Sequence, residues 1–196
     1  METEAPTERG QAPGDLLLVQ QLVNTREIDV ATDEIADVAG LRAWMALRGV
    51  VDDAEMAALD AADVVRVAAV REALRSLLQV NAGEAPDGDA AALLDGEARR
   101  VSLCVRITAD GSAQLTPVGE AVDRLIARIV VAIATHDVDG SWRRLKACAD
   151  DTCLWAFYDN SKNGSGTWCS MRVCGNRAKA RRHRERTRQA RAEQSS

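Results

Sequence analysis

The stretch that decides the fold of the C-terminal part of this chain is CADDTC at residues 148–153 together with CSMRVC at residues 169–174. Each is a pair of cysteines separated by four residues, and fifteen residues lie between the two pairs. Two short chelating loops can hold four thiolates in a tetrahedron without a preformed core. One such pair alone is a weak signal because its spacing is loose, but two pairs at the spacing of a zinc ribbon are a strong one. The sequence therefore predicts one structural Zn²⁺ with four ligands: Cys148, Cys153, Cys169 and Cys174.

Other uses of these cysteines fit the sequence less well. The fifth cysteine, Cys104, stands alone, and a cluster in a reducing compartment favours metal binding over a disulfide framework. A catalytic zinc keeps an open position and usually recruits histidine or carboxylate, whereas four thiolates close the site. An iron–sulfur cluster also takes four cysteines, but the basic surroundings make electron transfer the poorer interpretation.

The segment after the second cysteine pair, GNRAKARRHRERTRQAR at residues 175–191, is predicted to be a basic helix. Gly175 permits a tight turn, Asn176 can cap the helix, and the following 15 residues contain neither glycine nor proline. Those residues carry eight Lys and Arg side chains and one acid, Glu185. The positive side chains repel one another unless an anion lies beside the helix.

Charge is divided unevenly along the chain. The net charge is −5, but residues 141–196 hold 13 of the 25 Lys and Arg residues and only 5 of the 30 Asp and Glu residues. A basic module on an acidic body predicts a polyanionic partner for that end alone. We expect nucleic acid to contact eight side chains: Arg177, Lys179, Arg181, Arg182, Arg184, Arg186, Arg188 and Arg191. Arg177 or Arg181 is expected to read bases, because both lie close to the metal-fixed start of the helix.

The whole sequence predicts an α+β fold. It has a mainly helical N-terminal domain that contains one β-hairpin, followed by a small four-cysteine zinc finger and a basic C-terminal helix. Apolar residues recur at helical spacing over residues 16–23, 35–47, 56–78, 89–98 and 118–135. Gly49 is expected to end the second helix, and Asp52 or Asp53 to cap the third.

A different period marks residues 101–108, where apolar and polar residues alternate. This is the pattern of a strand with one buried face, and Asp110, Gly111 and residues 113–117 complete a predicted hairpin. We divide the chain into a flexible leader at 1–14, a helical domain at 15–140, the finger with its helix at 141–192, and a tail at 193–196. Residues 136–141 are the predicted linker, so the two main parts are expected to be stable independently.

Nothing in the sequence predicts secretion or membrane insertion. The start, METEAPTERG, is acidic and lacks the features of a signal peptide, and no apolar run approaches the roughly 20 residues that span a bilayer. We expect a soluble cytoplasmic protein without membrane contact.

One polar cluster follows the first apolar run: Asn24, Thr25 and Arg26. These residues could line a pocket for a small-molecule effector, or they could simply end the first helix. No nucleophile motif, phosphate loop or HExxH zinc motif accompanies them, so we expect no enzyme.

The residues WCSMRVCGNRAKARRHRER at 168–186 resemble the CGNR zinc finger, a family named for the motif that here is Cys174 to Arg177. That finger usually follows a mostly helical domain called ABATE, which is associated with stress-induced transcription regulation. LVNTR at 22–26 and VREALRSLL at 70–78 resemble motifs of that domain. The resemblance implies zinc ligation by the four clustered cysteines and DNA contact by the basic helix. The family more often has a basic pair before the tryptophan, whereas this chain has Gly166 and Thr167, so a phosphate contact from this loop does not carry over from the resemblance.

We therefore predict a zinc-dependent, DNA-binding transcription regulator whose N-terminal domain senses a ligand or mediates assembly. The alternative is an RNA- or ribosome-associated binding protein, because arginine-rich helices bind RNA as well as DNA. An enzyme in the N-terminal domain is a third alternative. No heptad seam is visible, and the sequence leaves homodimer formation open.

Overall fold

A computed structural model describes residues 10–49 and 57–193 of the chain, with side chains up to Gln189. The fold is α+β, as predicted. The helices are α1 (Leu16–Val23), α2 (Val38–Leu47), α3 (Ala61–Asn81), α4 (Gly88–Arg100), α5 (Ala121–Val138) and α6 (Asn176–Glu193). Three antiparallel strand pairs accompany them: β1 (Arg26–Glu27) with β2 (Thr32–Asp33), β3 (Ser102–Ile107) with β4 (Ala113–Val118), and β5 (Leu145–Ala147) with β6 (Ala156–Tyr158).

Local sequence signals account for several helix ends. Asp87 caps α4 by accepting hydrogen bonds from backbone N–H groups of the first turn, and Gly49 ends α2 in the left-handed region with φ of 55°. The third helix begins later than predicted, because a capping box between Asp60 and Asp63 starts α3 at Ala61. The predicted caps at residues 52–53 lie outside the described residues.

The main hydrophobic core runs through both predicted domains, and the four clustered cysteines pack with Phe157 in a second, smaller cluster. Helices α1, α3 and α5 supply most of its buried side chains, among them Leu22, Leu74 and Ile126. The same core contains four residues from beyond the predicted linker: Trp142, Leu145, Ala147 and Ala156. Helix α5 continues to Val138, into the predicted linker. The body and the start of the finger therefore share their apolar stabilisation.

The predicted leader is held in place where the structure describes it. The Gly10 carbonyl accepts a hydrogen bond from the backbone N–H of Tyr158 in β6, and Ala12 is buried in the main core. Gly10 and Ala12 thus have defined contacts within the predicted flexible leader, because Gly10 pairs with β6 and the Ala12 N–H donates to Gln20 in α1. Residues 1–9 lie outside the described residues.

The β3–β4 hairpin forms at the predicted place, and Asp110 and Gly111 lie in its turn. The prediction that it buries one face is wrong. Val105 is 61% exposed and Ile107 71% exposed, because the described residues place no other element over them. Among the described residues, no helix has the length and apolar content needed to cross a membrane.

Candidate metal centre and nucleic-acid interface

The four clustered cysteines come from two local structures. Cys148 directly follows β5, and Cys153 lies in the turn that leads to β6. Cys169 precedes a π-helical turn at Met171–Gly175, and Cys174 lies within it. This turn runs directly into α6, so the second cysteine pair fixes where the basic helix begins.

The sulfur positions fit a tetrahedral metal site. All four side chains are buried, and their Sγ atoms lie within 4.8 Å of one another. The Cys153 and Cys169 Sγ atoms are 3.6 Å apart, and those of Cys169 and Cys174 are 3.7 Å apart. A tetrahedron with metal–sulfur bonds of about 2.3 Å has sulfur–sulfur edges of about 3.8 Å, whereas a disulfide is about 2.05 Å long. The cluster therefore has the dimensions of a four-thiolate site and not of disulfides.

The thiols influence one another's ionisation strongly. Hydrogen bonds from Cys153 and Cys169 lower the pKa of Cys148, while hydrogen bonds with Cys148 and Cys153 raise the pKa of Cys169. Burial raises the pKa of Cys174. Ionisation of one thiol is thus favoured, whereas ionisation of the other thiols beside it is opposed. A bound cation would remove this opposition.

The start of α6 differs in detail from the prediction. Asn176 does not cap the helix, because its Nδ2 donates to the carbonyl of Arg172 and Ser170 caps the π-helical turn instead. Gly175 is buried and does not adopt positive φ. A Cβ there would stand 2.6 Å from Met171 Sδ, so a larger residue would require the exposed Met171 side chain to move.

A buried ion pair holds the loop between the two cysteine pairs. Lys146 Nζ lies 2.8 Å from Asp159 Oδ2, and both side chains are almost fully buried. Lys146 also donates to the carbonyls of Gly164 and Gly166. Burial raises the pKa of Asp159, but hydrogen bonds from Lys146, Ser161 and Gly166 outweigh burial and lower it overall. Asp159 Oδ1 would be only 2.7 Å from a Cβ at residue 166, which explains glycine at that position.

Asn24, one of the three predicted pocket residues, binds the finger. Its Nδ2 donates to the Ala156 carbonyl at 2.9 Å, and its Oδ1 accepts from the Ala156 backbone N–H at 2.8 Å. The amide thereby pairs with β6 as a neighbouring strand would. Gln20 in α1 also donates to the Ala156 carbonyl.

Two buried arginines of α3 complete this junction. Arg75 donates to the carbonyls of Val23 and Leu154, so it joins the end of α1 to the residue after Cys153. Arg71 makes two hydrogen bonds to the Asp33 carboxylate and one to Thr25, a second predicted pocket residue.

Arg26, the third predicted pocket residue, is half exposed and pairs with Glu72. A shallow cleft of about 230 Å³ does lie beside Asn24, with Trp155 and Arg48 in its lining. Both amide atoms of Asn24 are engaged by Ala156, however, and the Arg48 guanidinium donates to Gln21.

Acidic side chains lie beside the first turns of α6. Arg177 lies 3.6 Å from Asp29, in the β1–β2 turn, and 3.9 Å from Asp150. Arg181 lies 3.8 Å from Asp150 and 3.5 Å from Asp151. Asp150 is fully buried, and within the described part of the chain its Oδ2 has no hydrogen-bond partner. The buried carboxylate of Asp150 therefore favours the two cations at the start of the helix.

Further along α6 the basic side chains project into solvent. Within the described residues, five have no acidic partner: Lys179, Arg182, Arg184, Arg186 and Arg188. The Arg182 and Arg186 guanidinium groups donate to carbonyls of their own helix, and the side chain of Arg191 lies outside the described residues. The predicted nucleic-acid contacts therefore fall into two groups: an anchored pair, Arg177 and Arg181, which face acids of the protein, and an exposed group of the five side chains without an acidic partner.

The roles of Asp150 and of the two buried arginines of α3 were not predicted from the sequence. Arg71 and Arg75 interrupt the apolar stripe of α3, and a charged side chain in such a stripe is a usable signal of a buried ion pair. Asp150 gives no comparable signal, because it looks like a turn residue within CADDTC.

Comparison with known families agrees with this architecture. The profile of the CGNR zinc finger matches residues 144–187, and the ABATE profile, described as "Putative stress-induced transcription regulator", matches residues 17–151. The comparison with curated proteins gave no match. The two matched ranges overlap at β5 and Cys148, where the structure shows the shared core. The chain belongs to the ABATE family and carries a CGNR zinc finger at its C-terminal end.

Proposed function

We propose that this protein is a transcription regulator that binds one structural Zn²⁺ and contacts duplex DNA through α6. The observation that carries the proposal is the exposed group of five basic side chains on a helix whose start is fixed by a four-cysteine cluster. Zinc is the metal that this ligand set favours, because four thiolates in a closed tetrahedron leave no coordination position for catalysis. Its role would be structural: it would hold the four cysteines and so fix the direction of α6.

The basic side chains lie along two opposite sides of α6. At 3.6 residues per turn, Arg184 and Arg188 fall on the side of Arg177 and Arg181, whereas Lys179, Arg182 and Arg186 fall on the other. A helix in the DNA major groove has a phosphate backbone on each side of it. Two opposed basic lines match that arrangement.

The remaining two sides of α6 differ in what they face. Ala178 is buried, so its side of the helix faces the finger. The opposite side carries Ala180, His183 and Thr187, which are short or uncharged and point away from the finger. We propose that this side faces the base edges, with His183 and Thr187 as candidate readers.

Arg177 and Arg181 take a different role from the one the sequence predicts. Both face acids of the protein itself, so we propose that they orient α6 rather than read bases. DNA is favoured over double-stranded RNA because the RNA major groove is too narrow to admit a helix.

The contacts of His136 do not have the arrangement of a hydrolytic triad. His136 Nδ1 lies 2.7 Å from Ser141 Oγ, and that hydroxyl donates to Asp139. In a hydrolytic triad the acid orients the histidine and not the serine. We therefore propose a binding function, in which the N-terminal domain positions the finger.

The test is equilibrium binding of the zinc-loaded chain to a mixed-sequence DNA duplex and to an RNA duplex of the same sequence, at one fixed salt concentration. We expect tighter binding to DNA, and loss of binding when residues 177–196 are deleted. Equal affinity of the full chain and the deletion variant would refute the proposal, and tighter binding to RNA would replace DNA by RNA as the partner.

A further inference from the structure

A small cleft lies where the body meets the finger, and its lining carries one side chain of each charge. Its volume is about 230 Å³. Leu17 in α1 and Trp155, between Cys153 and β6, supply apolar surface. Arg48 at the end of α2 and Glu34 directly after β2 supply the two charges. The cleft therefore combines an apolar wall with a cation and an anion.

The Arg48 guanidinium is held in place by the protein. Its Nε donates to Gln21 Oε1 at 3.1 Å and its Nη1 to the Trp44 carbonyl at 3.3 Å, and its Cζ lies 4.5 Å from the centre of the Trp44 ring. Among the residues that the structure describes, Nη2 has no hydrogen-bond partner. Burial lowers the pKa of Arg48, so an anion beside it is favoured. A fixed guanidinium with an open donor edge suits a carboxylate.

Glu34 is the second charge of the cleft. Its side chain is exposed, and in the described part of the chain its carboxylate accepts no hydrogen bond and forms no ion pair. The charge of Glu34 acts to raise the pKa of Arg48, but the two side chains do not pair, because Gln21 and Trp44 hold the guanidinium instead. Two opposite charges thus line one cleft without neutralising each other. This arrangement suits a ligand that carries both charges.

The volume of the cleft limits the size of such a ligand. Sites for drug-sized ligands measure roughly 300–1,000 Å³, so the ligand is smaller than a drug. At about 30 Å³ per water the cleft holds the equivalent of about eight waters, which corresponds to on the order of ten non-hydrogen atoms. An α-amino acid with an apolar side chain has this size, and it carries a carboxylate, an ammonium and an apolar group on one carbon.

We infer that the cleft binds a free apolar α-amino acid, with its carboxylate at Arg48, its ammonium at Glu34 and its side chain against the apolar wall. A carboxylic acid without the ammonium meets repulsion from Glu34, and an amine without the carboxylate meets repulsion from Arg48. The ligand touches the finger directly, because the Trp155 carbonyl accepts a hydrogen bond from the Cys148 N–H at 2.9 Å. The inference does not depend on nucleic-acid binding.

The test is an NMR titration that follows the backbone amide signals of the full zinc-loaded chain, without nucleic acid. The probes are L-leucine and L-phenylalanine, each up to about 10 mM. We expect saturable shifts for Leu17, Arg48 and Trp155, with a dissociation constant on the order of 1 mM or below. Isocaproate is L-leucine without its ammonium, and isoamylamine is L-leucine without its carboxylate. Each is expected to bind about tenfold or more weakly, because each loses one charged hydrogen bond.

Glu34→Gln changes the charge of the cleft while it keeps the shape. It is expected to weaken the binding of L-leucine about tenfold and to strengthen the binding of isocaproate, because the repulsion is removed. Glu84→Gln removes the same charge from an exposed position outside the cleft and is expected to leave both affinities unchanged. Both side chains are exposed, so each variant should keep the thermal midpoint of the wild type.

Three results would overturn the inference. The first is the absence of saturable shifts in the cleft for both amino acids up to about 10 mM. The second is equal affinity for L-leucine and isocaproate, because the cleft would then recognise an anion alone. The third is an affinity for L-leucine that Glu34→Gln leaves unchanged, because Glu34 would then not bind the ammonium.

Discussion

Removing two exposed arginines from α6 should change the salt dependence of DNA binding by a calculable amount. Five basic side chains of this helix have no acidic partner within the described residues. If each neutralises one phosphate, log K against log salt has a slope of about −4.5, at about 0.9 per contact. Affinity should then fall about 500-fold between about 50 and 200 mM salt. The double variant Arg184→Gln, Arg188→Gln leaves three contacts, for which the slope is about −2.7 and the loss about 40-fold.

The assay is fluorescence anisotropy of a labelled DNA duplex, titrated at four or more salt concentrations. The matched control is Arg99→Gln, Arg100→Gln, which removes the same charge from the exposed end of α4. The control is expected to keep the wild-type slope. If the Arg184 and Arg188 variant also keeps it, or if both variants lose slope equally, α6 does not supply the phosphate contacts and the reasoning fails.

Three further predictions concern the parts that hold α6. Changing Arg177 and Arg181 together to Gln should weaken DNA binding while the slope stays near −4.5, because these anchors leave the five exposed contacts in place; a slope reduced by about 2 would show that both contact phosphates. Cys169→Ser should abolish the binding of one zinc per chain and lower the thermal midpoint of the whole protein, because the cysteine cluster directly adjoins Ala147, which belongs to the core of the body; amide exchange in α1 that is unchanged would contradict this. Asp159→Asn should destabilise the chain by roughly 3–5 kcal/mol, since it leaves Lys146 buried without its partner, whereas Asp95→Asn at an exposed pair should cost about 0.5 kcal/mol or less. Because the folded-state pKa of Asp159 is lowered, its contribution is complete above the unfolded pKa of about 3.9 and is lost only as pH falls through the folded value, so chemical denaturation should give the same difference from pH 5 to 7.

The parts of this fold that could be predicted from sequence are those fixed by neighbouring residues. The cysteine spacing determines which sulfurs can meet, and the structure brings those four together. Gly49 ends α2 as expected, and Asp110 and Gly111 turn the hairpin, because each signal acts within a few residues.

What the sequence could not show depends on contacts between distant segments. Alternation over residues 101–108 indicates a strand, but it does not tell whether anything covers the apolar side. Asn24 and Ala156 are 132 residues apart, so no local pattern connects an amide after α1 with a strand of the finger. The core shared across the predicted linker could not be predicted for the same reason, because Leu145 looks like part of a separate module until its core neighbours are known.

These distant contacts connect the motifs of the N-terminal domain with the finger. Asn24 belongs to LVNTR and Arg75 to VREALRSLL, and both bind the backbone on either side of Trp155. That backbone leads directly from Cys153 to β6, so it sets the position of Cys153 relative to the body. Asp150, three residues before Cys153, in turn faces Arg177 and Arg181. A series of direct contacts thus connects the body to the cysteine cluster and the cysteine cluster to the basic helix. The direction of α6 depends on all of these contacts rather than on the finger alone.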